Sequence, residues 1–199
     1  MTLNQHFNVF LKNNKNNEHA AMIEMADYIF KNCCLQAGDT PYWFTEIEFY
    51  YYAPNHRDPF CKRNPIKPQD TKFPEVASDK LFFHYSGVDI SFDSPEPDKM
   101  KRQYGGILIR GIKNPDEKCA VSGPLKVLCH LLNKTQQTKD GRLTLQLAPS
   151  PFSDTYKFIP RYGLSAPTGD DLKQDFVAKL YRFHLSQATG VKQAKTGKK

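Results

Sequence analysis

The apolar positions of this chain fall into a succession of short periodic stretches. After an Asn/Lys-rich opening segment, Ala20–Leu35 sets Met22, Met25, Ala26, Ile29 and Cys33 three and four residues apart, which predicts an amphipathic helix. Gly38-Asp39 ends it and Pro41 blocks its resumption. Tyr42 to Tyr52 is dense in aromatic residues and predicts a long strand. Residues 53–80 hold five prolines and no regular period, and so predict a long loop lying over the surface or over a site. Lys80–Phe92 and Gly105–Ile112 predict neighbouring strands joined by a loop rich in Pro and Asp. Gly123-Pro124 opens a short helix whose apolar residues stand at 125, 128, 129 and 132. Leu143–Leu147, Tyr156–Leu164 and Leu180–Leu185 add further short strands, and there is no internal repeat. Several strands with a few helices predict the α+β class: a mixed, mainly antiparallel curved β-sheet flanked by helices.

The long strand carries an anomaly. Strand alternation puts Phe44, Glu46, Glu48, Tyr50 and Tyr52 on one face, and Trp43, Thr45, Ile47, Phe49 and Tyr51 on the other, which reads as core. Two carboxylates then stand about 7 Å apart, two residues of strand rise, among aromatic rings and beside a proline-rich loop. Such surroundings raise a carboxylate's pKa or hold it against a ring-shaped ligand. The alternative, on spacing alone, is an exposed sheet face where both glutamates meet water.

Composition narrows the class. The chain of 199 residues, 39% hydrophobic and 25% charged, is the size of one domain, and no apolar run approaches membrane-spanning length. No secretory signal is visible at the N-terminus, so the expected compartment is cytoplasmic. Five cysteines without a Cys-x-x-Cys pair read as reduced thiols, with Cys33 and Cys129 as small core residues on helix faces. The formal net charge is +7, but the last ten residues carry four lysines, leaving +3 on residues 1–189. The expected organisation is one domain over 1–189 with a disordered basic tail over 190–199.

Six short motifs stand in a particular order: Glu46-Ile-Glu-Phe-Tyr50, then Phe82-Phe-His-Tyr-Ser-Gly87 with Asp89-Ile90, Gly106-Ile-Leu-Ile-Arg-Gly-Ile112, Gly123-Pro-Leu-Lys-Val-Leu128, Pro160-Arg-Tyr-Gly163 and Tyr181-Arg-Phe-His184. In this order the chain resembles the alkyladenine (3-methyladenine) DNA glycosylase family, from about residue 20 to 187. The resemblance implies an alkyladenine-DNA-glycosylase-like fold that flips a damaged purine nucleotide out of duplex DNA and hydrolyses its N-glycosidic bond. It implies a single domain acting on double-stranded DNA with no metal or diffusible cofactor; the expected form is a monomer, and neither a membrane nor an obligate protein partner is evident in the sequence.

By motif position the resemblance makes Glu48 the water-activating base and Tyr50 the ring that stacks on the base. Arg110 orients the water or binds the flanking phosphate, and Glu46 is structural or modulatory. His56 is the nearest match to a nucleotide-holding histidine, at a shorter spacing than the family pattern; a loop histidine without ligand is the alternative. Phe83, His84 and Tyr85 fall where the family keeps tyrosines that sandwich the base and wedge into the duplex. Ser86 stands where the wedging tyrosine is expected, so Tyr85 takes that role from a shifted register or the wedge is missing. Asp89 replaces an amide that lines the base pocket, favouring a donor or cationic base. Lys126 at a helix start is an expected phosphate contact, with a solvated lysine as the alternative, and Arg161 and Arg182 are further phosphate contacts or structural anchors, with Glu46 or Asp89 as their carboxylate partners.

Other chemistries have weaker support. The six histidines show no zinc-ligand spacing. Cys61 has no activating neighbour in sequence. Gly105-Gly106 precedes a strand, lacks the sequel of a phosphate-binding loop and reads as easing a turn. A glycoside hydrolase built on Glu46 and Glu48 would put both carboxylates on one side of the sugar.

Overall fold

The computed structural model describes residues 1–15, 17–61, 79–94, 98, 101, 103–139, 141–153 and 155–186. The 190–199 tail and most of the proline-rich loop lie outside these residues. Among them the chain forms a single α+β domain, a curled antiparallel sheet with four helices.

The opening segment is a helix, α1 (Leu3–Asn13), which the polar spacing hid. Thr2 and Gln5 close a capping box: Thr2 Oγ1 accepts from the Gln5 N–H at 3.2 Å, and Gln5 Oε1 from the Thr2 N–H at 2.8 Å. Helix α2 (Glu18–Asn32) is capped by Asn17 and buries Met22, Met25, Ala26 and Ile29 on one face. It stops three residues earlier than its spacing suggested. Cys33, Cys34 and Leu35 belong to β1 (Cys33–Ala37), paired with β2 (Thr40–Ala53) on one side and β8 (Leu143–Leu147) on the other. Gly38-Asp39 is therefore a two-residue hairpin turn, with Gly38 at φ +58°, and no helix end.

Strand β2 organises the sheet. Its tip meets β3 (His56–Arg57), and one edge pairs along its length with β6 (Tyr104–Lys113). Beyond β6 lie β5 (Gly87–Asp93) and β4 (Leu81–His84), which form a hairpin across Tyr85-Ser86. The other edge of β2 is shared by β1 and β10 (Arg182–Leu185), and β10 pairs in turn with β9 (Tyr156–Ile159). The short β7 (Val121–Ser122) pairs with β6 and leads into α3 (Pro124–Gln136), while α4 (Asp171–Ala178), capped by Asp170, precedes β10.

A bulge between Phe44 and Ile47 shifts the β2–β6 register, so the alternation expected for β2 holds only above it. Ile47, Phe49 and Tyr51 face the core as expected, but below the bulge Tyr42 and Phe44 do so, and Trp43 does not. Gly111 makes the room: a Cβ there would lie 2.9 Å from Glu46 Cβ. The core fills the side of the sheet covered by α1, α2 and α3, where Phe7, Met25, Ile29, Ile109 and Phe183 meet β2. Helix α3 buries Val127, Leu131 and Thr135, leaving Leu125, Cys129 and Leu132 exposed, so the expected apolar face was displaced and Cys129 is not a core residue.

Candidate functional site

The face of the sheet turned away from the helices carries the chemistry. Pairing aligns Arg182 with Glu48, Glu48 with Leu108 and Leu108 with Asp89, while Asp89 lies opposite Phe82. Residues opposite one another in a ladder share a face, and alternation adds Tyr50, Arg110 and His84 to it. That face, the start of α3 and the segment 162–164 enclose a cavity of about 350 Å³. Its walls include Tyr50, Phe60, Phe82, Tyr85 and Tyr162, together with the polar side chains of His84, Ser86, Asp89 and Arg110.

Glu46 and Glu48 are both buried, which removes the solvated-face alternative. Glu46 Oε1 accepts from Arg110 Nε at 2.8 Å and from Arg182 Nε at 2.7 Å, so one carboxylate bridges two guanidinium groups. Glu48, fully buried, accepts from the Tyr162 N–H at 2.9 Å, the Tyr50 hydroxyl at 3.0 Å and Arg110 Nη1 at 3.4 Å. Burial pushes the Glu48 pKa up, opposed by Arg110, the Tyr162 N–H, Tyr50 and Arg182. Burial and then Glu48 push the Tyr50 phenol well up, so it stays protonated and donating. Arg110 keeps its charge: burial disfavours it, but Glu48 and Glu46 outweigh that cost and raise its pKa.

Glu48 does not itself line the cavity; Tyr50 and Arg110, two of its three donors, do. The remaining donor comes from a segment fixed by Arg161. This arginine is sealed against Asp58, with Nη1–Oδ2 at 2.6 Å, Nη2–Oδ1 at 3.3 Å and both side chains fully buried. It also donates to the carbonyls of Phe49 and Phe176 at 3.1 Å and lies over the Tyr50 ring, 4.7 Å from its centroid. Arg161 is thus an anchor, out of reach of a phosphate, and its partner is neither Glu46 nor Asp89. Arg182 has the expected partner, Glu46, and lies over the half-exposed Tyr162 ring, which Arg110 also faces at 5.4 Å.

Of the other expected residues, His84, Tyr85 and Asp89 line the cavity with Tyr50 and Arg110. Tyr85 stands at the hairpin tip, 82% exposed. Phe83 points to the other side of β4, 48% exposed, and Phe82 takes the place expected for it. His56 does not reach the cavity: Nδ1 meets the Tyr51 carbonyl at 3.0 Å and Nε2 the Tyr181 hydroxyl at 2.8 Å, on the core face. Burial lowers its pKa, which makes it a neutral structural histidine. Lys126 is exposed in the first turn of α3, two residues from Pro124 at the cavity wall. Among the described residues there is no cluster of His, Cys, Asp or Glu able to hold a metal ion, and no helix is long and apolar enough to cross a membrane.

Three contributors were missed in the sequence. Tyr162 stood inside the Pro-Arg-Tyr-Gly motif; Asp58 is the acid a buried Arg161 demands; Phe60, at the start of the described edge of the loop, closes the cavity. Gly106 does not ease a turn. It lies inside β6, where a Cβ would come within 2.7 Å of Asp89 Oδ2, so its bareness lets that carboxylate fold toward the cavity.

No known family model matches the chain. It is similar to an uncharacterized protein of Acanthamoeba polyphaga mimivirus, 28% identical over 139 residues. The match covers 61% of this chain, and the chain spans 61% of that protein's length.

Proposed function

We propose that the protein is a base-excision glycosylase of the alkyladenine DNA glycosylase type, hydrolysing the N-glycosidic bond of a flipped purine nucleotide held in the cavity. What carries the proposal is Glu48: a desolvated carboxylate whose pKa is raised, placed directly behind an aromatic-walled cavity and tied to two of its wall residues. A cavity of about 350 Å³ admits a purine base with part of its sugar, and Tyr50 offers a ring to stack on it. Asp89 supplies an acceptor to the base edge, favouring a purine that is cationic or carries a donor there. Tyr85 at the exposed tip fills the duplex gap, and Lys126 neutralises a phosphate beside it.

Because Glu48 is sealed, entry of the nucleotide must draw the Tyr50 hydroxyl or Arg110 off Glu48 Oε2 and admit one water. Glu48 takes a proton from that water as its oxygen bonds to the anomeric carbon and the C–N glycosidic bond breaks; the bonding pair leaves with the purine, which departs neutral if alkylation had made it cationic and otherwise takes up a proton from solvent. Abasic-site formation on methylated duplex DNA, and on duplexes with hypoxanthine or ethenoadenine, tests this directly, with Glu48→Gln alongside. Product that depends on Glu48 supports it; no product on any duplex refutes it. The complete burial of Glu48 favours one other reading, a nucleic-acid-binding protein that has kept the arrangement as structure. Salt-dependent DNA binding without product would support that reading.

A further inference from the structure

The β4–β5 hairpin joins Asp89, already assigned to the base edge, to two residues that neither the glutamate network nor base recognition uses, His84 and Ser86. Ser86 Oγ lies 2.8 Å from His84 Nδ1, and His84 Nε2 lies 3.0 Å from Asp89 Oδ1. The Ser86 backbone N–H also points at Nδ1, at 3.3 Å. An amide N–H can only donate, so Nδ1 must carry the lone pair and Nε2 the proton, which then faces Asp89. That is the tautomer a general base for the Ser86 hydroxyl needs. Asp89 fixes the imidazole through Nε2, and the His84 side chain is 3% exposed, so the ring is held against these partners.

The local chain explains the geometry. His84 closes the ladder opposite Gly87, and the two-residue turn Tyr85-Ser86 returns the serine over the ring of the residue two before it. Gly87, at φ +150°, has Pro124 Cβ 2.9 Å from where its own Cβ would be, so the turn is pressed against the start of α3. Gly106 leaves the space into which Asp89 folds. All three residues line the cavity, together with Arg110.

We propose that Ser86, His84 and Asp89 form a nucleophilic relay, Ser86 the nucleophile, His84 its general base and Asp89 a positioning residue, able to hydrolyse a small carboxylic ester admitted to the cavity. It shares the cavity, Asp89 and Arg110 with the glycosylase proposal but passes no step through Glu48, so the two stand or fall separately. The Ser86 Oγ–H proton passes to His84 Nδ1 as Oγ bonds to the ester carbonyl carbon, and the resulting oxyanion lies in the field of Arg110. His84 returns the proton to the departing alkoxide as the C–O bond breaks, leaving acyl-Ser86 and the alcohol. Water, losing a proton to His84, then attacks the acyl carbon and releases the carboxylic acid, while His84 restores the Ser86 hydroxyl. The net change is ester plus water to acid plus alcohol.

The test uses the full chain with an ethyl fluorophosphonate probe, which phosphonylates activated serines, and with p-nitrophenyl acetate. The expected result is one adduct, mapped by peptide mass spectrometry to Ser86, and hydrolysis of the acetate that is lost in Ser86→Ala. His84→Asn should slow labelling by about 100-fold or more, the scale of a lost general base. Asp89→Asn should slow it while Ser86 remains the labelled site. Thermal unfolding of each variant separates loss of the relay from loss of the fold, and chain unfolded in urea should not label. Absence of an adduct at Ser86 in the folded wild type, or labelling at an unchanged rate in folded His84→Asn, overturns the proposal.

Discussion

Replacing Asp58 by Asn tests how the site is held. The guanidinium of Arg161 and the carboxylate of Asp58 are both fully buried and meet through two hydrogen bonds. Asn preserves shape and one acceptor but removes the charge, leaving a cation in a dry site. Breaking one side of a buried pair costs about 3–5 kcal/mol. For a domain of this size each kcal/mol lowers Tm by about 2–4 °C, so the expected fall is about 6–20 °C. The segment that Arg161 anchors also supplies the Tyr162 N–H to Glu48, so the loss should loosen the cavity as well. Urea titration followed by circular dichroism gives the free energy, and differential scanning calorimetry the Tm. Asp175→Asn, in the exposed pair with Lys179 at 3.0 Å, is the control and should change stability by no more than about 0.5 kcal/mol. If Asp58→Asn cost no more than this control, Arg161 would not be the anchor described above.

Glu48 gives a pH signature. Its pKa is raised in the folded state, so the native chain holds that proton to higher pH than the unfolded chain, and this group's contribution to stability falls as pH rises from the ordinary carboxylate pKa through the raised one. Glu48→Gln cannot ionise, so the stability of wild type minus that of Glu48→Gln should decline over this window in urea titrations; a difference that rises with pH would reverse the assignment. Gly106→Ala puts a methyl group within 2.7 Å of Asp89 Oδ2 and should cost about 1–3 kcal/mol in urea titration. Thr2→Ala removes the side-chain half of the α1 capping box and should cost about 1 kcal/mol, read the same way.

The parts of the fold that depend on local spacing were legible in the sequence. The α2 face, the long β2 strand, the β6 strand and the Pro124 helix start all follow from periodicity or from one residue's backbone chemistry. What was not legible depended on partners distant in sequence. No breaker separates Asn32 from Cys33, so nothing local marks the change from helix to strand; pairing with β2 and β8 decides it. The bulge that moves Phe44 into the core depends on Gly111, more than sixty residues on. Helix α1 buries only Leu3 and Phe7, too sparse a stripe to stand out among its asparagines.

The same division runs through the site. Motif order singled out Glu48, Tyr50, Arg110, His84 and Asp89, and strand alternation places them on one face once the strands pair, with Tyr85 beside them in the hairpin turn. His56 and Phe83 were misplaced because a short strand at the tip of β2 and an edge strand give no sign in sequence of which side is covered. Asp58 was invisible as Arg161's partner, since the two stand 103 residues apart.

The central claim is that Glu48 activates water against a flipped purine nucleotide. Single-turnover excision from a duplex carrying one methylated purine, with protein in excess, measures that step directly. Wild type should release the base and leave an abasic site, and folded Glu48→Gln should be slower by about 100-fold or more. Equal rates in the two proteins, or no excision by wild type from methylated, hypoxanthine or ethenoadenine duplexes, would contradict it.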